Sequence, residues 1–163
     1  MSPFQKPLAP LPEDSRMAFY AQHRCQPQWR AFLAALSHEL FAHADTEDAA
    51  RFLRDVGRGM ADIAALPAAQ GLRELEDVMN RALDQMDWGV TSLRDAGQEI
   101  QITHFGAPAL LPEDRDGFWP KAVGYLLEGL YDQWLHAQGS ADHLRTRLVA
   151  GRQPDEFVLR HGR

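Results

Sequence analysis

A change of period constrains this chain more than any other feature. From Gln28 to Met86 apolar residues recur at every third or fourth position, and after Gly89 they recur at every second. The first spacing marks one face of a helix and the second one face of a strand, so the fold must combine both. Trp29, Phe32, Leu33, Leu36 and Leu40 predict a first helix from Gln28 to about His43. Asp45 and Thr46 then offer N-cap oxygens, and Glu47 and Asp48 set negative charge against a helix N-terminus. Phe52, Leu53, Val56, Met60 and Ile63 form the stripe of this second helix, which ends before Pro67. Leu72, Leu75, Val78, Met79, Leu83 and Met86 predict a third, stopped near Trp88 and Gly89, where a glycine can take the left-handed backbone that closes many helices.

Alternation takes over in "VTSL" and "QEIQITH" around the turn residues "DAGQ", which predicts a β-hairpin. A polar, proline-containing connection from Gly106 to Gly117 leads to Trp119, Val123, Leu126, Leu127, Leu130 and Trp134, a long helix closed by Gly139 and Ser140. The segment "LRTRLVAGRQPDEFVLRH" alternates again as a second hairpin. The expected fold class is α+β: three N-terminal helices, a β-hairpin, a long helix and a C-terminal β-hairpin, forming one domain over 28–163. Residues 1–27 hold five of the ten prolines and predict an extended, proline-rich arm.

A net charge of −6 repels polyanions, so no nucleic-acid partner is expected. Cys25 is the single cysteine, which rules out a disulfide or a cysteine-based metal site within one chain. His23 lies near it in sequence, but within the arm, and Cys25 reads as an incidental thiol. Prolines interrupt every apolar run at the N-terminus, and no span reaches the ~20 apolar residues of a membrane helix. The expected location is the cytoplasm.

The stretch "FLRDVGRGMAD" puts Gly57 and Gly59 in the middle of a helical stripe. A phosphate loop needs its glycines at a strand-to-helix turn, and none is expected here. Each glycine inside a helix costs roughly 1 kcal/mol, so close approach of another helix or subunit is the better account, with Arg58 directed to solvent or a partner subunit. His38 and His43 are five residues apart, which separates them by about 140° around a helix and prevents joint chelation. His104 ends a strand and reads as a hydrogen-bonded structural residue. Glu74, Glu76 and Asp77 look like a solvated helix face. Glu128 lies opposite Leu126 and Leu130, either as an exposed carboxylate or in a buried or interface ion pair with an arginine. No G-x-S-x-G motif and no defensible carboxylate pair for a glucan hydrolase occur, so no catalytic residue, cofactor or metal is expected. An alternative is a small-ligand or heme-binding sensor, with His38, His43 or His104 as ligand.

Five stretches in order carry a family resemblance: "FLRDVGRGMA" (52–61), "LDQMDWGVTSL" (83–93), "IQITHFGAP" (100–108), "GFWPKAVGYLLEGLYDQW" (117–134) and "AQGSADHLRTRLV" (137–149). Together they resemble the D subunit of bacterial cellulose synthase. The resemblance implies a non-catalytic accessory protein that forms a ring-like homo-octamer, a tetramer of dimers, organising the synthase complex or guiding nascent β-1,4-glucan chains. It implies packing or assembly roles for Gly57, Arg58, Gly59, Trp88, Gly89, Trp119, Glu128, Gly129, Tyr131 and Trp134. By position, Phe4, Lys6 and Pro7 are the candidates for glucan contact. The proline-rich arm is a candidate contact for another protein of the cellulose operon.

Overall fold

The computed structural model describes residues 25–153 and 155–163. The candidate glucan contacts Phe4, Lys6 and Pro7, and all but the end of the arm, lie outside them. Helix α1 spans Pro27–His43 and starts one residue earlier than expected, with Pro27 at a first-turn position whose N–H has no intrahelical partner to lose. Helix α2 spans Thr46–Ile63, and its N-cap Asp45 accepts the Asp48 N–H at 2.8 Å. Helix α3 spans Leu72–Met86 and helix α4 Phe118–Ala137, the latter capped by the Asp114 carboxylate on the Trp119 N–H at 2.8 Å. The left-handed residue that ends α3 is Asp87, at φ 54°, not the glycine expected there. Gly89 has a positive φ of its own and turns the chain into the sheet, where a Cβ would overlap the Phe105 carbonyl.

The strands are β1 Val90–Asp95, β2 Ile100–Phe105, β3 Arg145–Gln153 and β4 Glu156–Gly162. The two expected hairpins are present, and they join into one antiparallel sheet of order β1-β2-β4-β3 through pairing of β2 with β4. In register across it run Leu93, Ile102 and Leu159, which turn inward, with Leu148 continuing the row at the rim against Gly124 of α4. The adjacent row of Arg94, Gln101, Arg160 and Arg147 turns out. This matches the α+β class and the element order read from the sequence.

Helix α4 is the centre of the molecule. Thirteen of its residues are buried, from Trp119 to Leu135, because α2 packs on one side of it and the sheet on the other. The connection after β2 is less polar in its setting than its composition suggests: Ala107, Ala109 and Leu111 are buried, and the Pro108 carbonyl accepts the Trp119 indole N–H at 2.7 Å.

In α1 and α2 the buried face is not the one the large residues mark. Helix α2 buries Ala49, Ala50, Leu53, Gly57 and Ala61, leaving Phe52, Val56 and Ile63 exposed. Small residues face α4 because they let the two backbones close together, and the bulky ones are left outside. Similarly α1 packs through Leu33, Leu40 and Phe41 while Trp29, Phe32 and Leu36 stay exposed.

Candidate functional site

Two glycines set the crossing of α2 and α4. A Cβ on Gly57 would overlap the Leu126 carbonyl oxygen, and one on Gly129 would overlap that of Arg54. The backbones therefore touch at both points, and neither position has room for alanine. Gly59 behaves differently, since among the described residues nothing lies within 4 Å of where its Cβ would stand. Among the described residues, the cost of roughly 1 kcal/mol for a helical glycine has a compensation at Gly57 and none at Gly59.

The crossing brings charged side chains into the interior. Glu128, 4% exposed, accepts the Arg54 Nε–H at 2.6 Å with one carboxylate oxygen and the Leu148 N–H at 2.7 Å with the other. Of the two alternatives at Glu128, the buried ion pair is the one present. Burial alone would lower the Arg54 pKa, but its bonds to Glu128 and Glu47 raise it overall. One turn further along α4, Asp132 accepts the Thr146 N–H at 2.8 Å and lies 3.6 Å from Arg58 Nη2. Arg58, expected to point away from the fold, is half-buried and spans from Asp55 at 2.5 Å back toward Asp132.

Thr146 and Leu148 belong to β3, an edge strand, and these N–H groups face away from β4. Side chains from α4 thus occupy hydrogen-bonding positions that a further strand would use. The opposite edge is treated in the same way. Asn80 of α3 accepts the Thr91 N–H at 2.7 Å and donates to the Thr91 carbonyl at 2.9 Å, and Glu76 accepts the Leu93 N–H at 2.6 Å. Glu76 is therefore part of a sheet-edge seal, which corrects its reading as solvated surface; Glu74 and Asp77 are exposed as expected.

The aromatic candidates are tied into the core. His104 is fully buried. Its Nε2–H donates to the Trp88 carbonyl at 2.9 Å, since a carbonyl can only accept, and its Nδ1 then accepts the Tyr131 hydroxyl at 2.6 Å. Burial pushes the Tyr131 pKa well above its usual value, against a smaller opposing effect of Thr91. Trp134 donates its indole N–H to the Ala64 carbonyl at 3.0 Å, holding the end of α2.

Reactive chemistry finds little support. With both nitrogens of His104 engaged, it presents no lone pair to a heme. His38 and His43 are exposed and bonded to Asp116 and Glu39 respectively. Cys25 is buried, which raises its thiol pKa. A cleft of about 440 Å³, bordered by Leu72, Leu75, Ile100 and Leu135, contains Ser140 with its hydroxyl 2.5 Å from His161 Nε2. The third group in that chain is the Thr146 hydroxyl, 2.9 Å from His161 Nδ1, and not a carboxylate. The Gly139 and Ser140 N–H groups beside that hydroxyl are bonded to the His136 and Leu135 carbonyls and are not free to stabilise an oxyanion. Among the described residues no cluster of three or more His, Cys, Asp or Glu side chains is placed to hold a metal ion.

What the surface does offer is two open apolar helix faces. Trp29, Phe32 and Leu36 on α1, and Phe52, Val56 and Ile63 on α2, are each 41–90% exposed. A contiguous exposed apolar face is the ordinary mark of a protein contact.

Comparison with known proteins places the chain in a family. Residues 15–162 match the family described as the D subunit of cellulose synthase. Two curated proteins, each called cellulose synthase operon protein D, come from Komagataeibacter xylinus and Komagataeibacter sucrofermentans. Each is 33% identical to this chain over 129 residues, covering 76% of this chain and 81% of the relative.

Proposed function

The chain belongs to the cellulose synthase D-subunit family, and from that membership we propose that it is a non-catalytic accessory subunit of bacterial cellulose synthesis. It assembles as a ring-like homo-oligomer, an octamer built as a tetramer of dimers. The ring lies on the cytoplasmic side of the inner membrane beside the synthase complex. There it organises the complexes or guides nascent β-1,4-glucan chains toward export and crystallisation, with Phe4, Lys6 and Pro7 as glucan contacts. Among the described residues no helix is long and apolar enough to cross a membrane.

The observation that carries this reading is the pair of open helix faces, with six large apolar side chains exposed, on a molecule whose sheet edges are bonded to helix side chains at Thr91, Leu93, Thr146 and Leu148. Full burial of such a side chain is worth about 1.5–3 kcal/mol, and with five of the six 41–55% exposed about half of that remains to be gained at each by covering them. Light scattering of the purified full chain at micromolar concentration is the test. The expected mass is several times 18.4 kDa; a monomer refutes the assembly reading.

A further inference from the structure

The open face of α2 has an internal symmetry. Phe52, Val56, Gly59 and Ile63 are spaced four, three and four residues apart, so the order of spacings is the same in both directions along the helix. Gly59 sits within this stripe, and among the described residues nothing lies within 4 Å of where its Cβ would stand. We propose that α2 of one copy packs antiparallel against α2 of a second copy, across a two-fold axis level with Gly57 and Arg58, seating Val56 over Gly59 of the other copy. The inference rests on the oligomer reading above and adds which surface makes the contact.

Several features select a second copy as the occupant. A two-fold that exchanges Phe52 with Ile63 also exchanges Val56 with Gly59, so each medium side chain meets a gap and the bulky ones meet at the ends. The glycine that no described residue of its own chain approaches thereby acquires a role, as the point of close backbone approach. The flank of the stripe is complementary in charge as well. The same operation brings Arg58 within two residues, about 3 Å along the axis, of Asp55 of the second copy, and Arg51 equally near its Asp62. Arg51, Asp55 and Asp62 are exposed, as a polar rim requires. The stripe contributes roughly 300 Å² of exposed surface per copy, an apolar centre for a contact of the usual ~800 Å² per partner.

Two experiments on the full chain test the contact. Gly59→Leu fills the gap without touching the described fold, because the site is open among the described residues. Its thermal melt should not be lowered by misfolding, while sedimentation across a dilution series should show the two-fold association weakened at least tenfold. A folded variant that associates like the wild type overturns the α2 contact and leaves the oligomer reading intact; a wild type that is monomeric throughout overturns both. In a Cys25→Ser background, Val56→Cys and Gly59→Cys chains are mixed and oxidised. The expected product is a disulfide joining one chain of each kind, located by peptide mass. Failure to form that pair under conditions where the mixture is oligomeric also overturns the proposal.

Discussion

Replacing Glu128 by glutamine keeps the size of the side chain and removes its charge at the point where α2, α4 and β3 meet. The Arg54 and Glu128 side chains are 14% and 5% exposed, so the guanidinium left behind has little access to water. Breaking a buried pair from one side costs about 3–5 kcal/mol. The amide oxygen can still accept one bond, from Leu148 N–H or from Arg54, but the amide NH2 then faces the other donor. Glu47, 3.2 Å from Arg54 and largely exposed, recovers part of the loss. The expected destabilisation is about 2–4 kcal/mol, which for a chain of this length lowers the melting temperature by about 5–15 °C. Urea unfolding followed by tryptophan fluorescence at matched protein concentration reads it as a lower midpoint with unchanged slope. Adding Arg54→Met to Glu128→Gln removes the stranded charge and should restore part of the stability. If Glu128→Gln falls within ~0.5 kcal/mol of the wild type, or the double variant shows no coupling, the pair does not hold the crossing together.

Gly57→Ala and Gly59→Ala should move in opposite directions. The first forces a methyl group into the α4 backbone and should cost about 3 kcal/mol; the second meets open space and should raise the stability of the single chain by ~0.5–1 kcal/mol, as thermal melts at a concentration below assembly would show. His161 gives a pH dependence. It is 3% exposed, and burial lowers its pKa, with Asp132 opposing and His136 and Arg145 adding to the effect. The unfolded state, titrating near 6.5, therefore binds the proton first. Stability from this group is complete above about pH 6.5 and is lost as pH falls toward the lower folded value. The melting temperature should drop between about pH 7.5 and 5.5, by less in His161→Gln than in the wild type; equal drops would remove His161 as the cause.

The periods in the sequence were enough to place every helix and strand among the described residues, because each element has an apolar face of its own. The faces themselves were harder to assign. In α2 the eye follows Phe52, Val56 and Ile63, since hydrophobicity scales with size, yet the buried line runs through Ala49, Leu53, Gly57 and Ala61. What selects that line is the approach of α4, a long-range fact with no local mark. Pairing of β2 with β4 is equally invisible, because fifty residues separate Phe105 from its neighbours and include all of α4. The polar seals were half legible. At Glu128, opposite Leu126 and Leu130, the sequence left an exposed carboxylate and a buried ion pair as alternatives, and Asp132, four residues on, carried no mark of its burial. Glu76 and Asn80 lie on a helix whose other charges are solvated, so nothing in their surroundings sets them apart.

The two seals follow one geometric rule. Residues four apart on a helix advance about 6 Å, and residues two apart on a strand advance about 6.8 Å. Two side chains one turn apart can therefore meet two successive outward N–H groups of a strand lying alongside. Glu76 and Asn80 meet Leu93 and Thr91; Glu128 and Asp132 meet Leu148 and Thr146. In both cases the helix and strand run in opposite directions. Association through either sheet edge would have to displace these bonds first, and at β3 would also strand Arg54. The apolar faces of α1 and α2 carry no such obstacle, so in the assembly proposed above the helices, and not the sheet edges, are the surfaces that would join the copies.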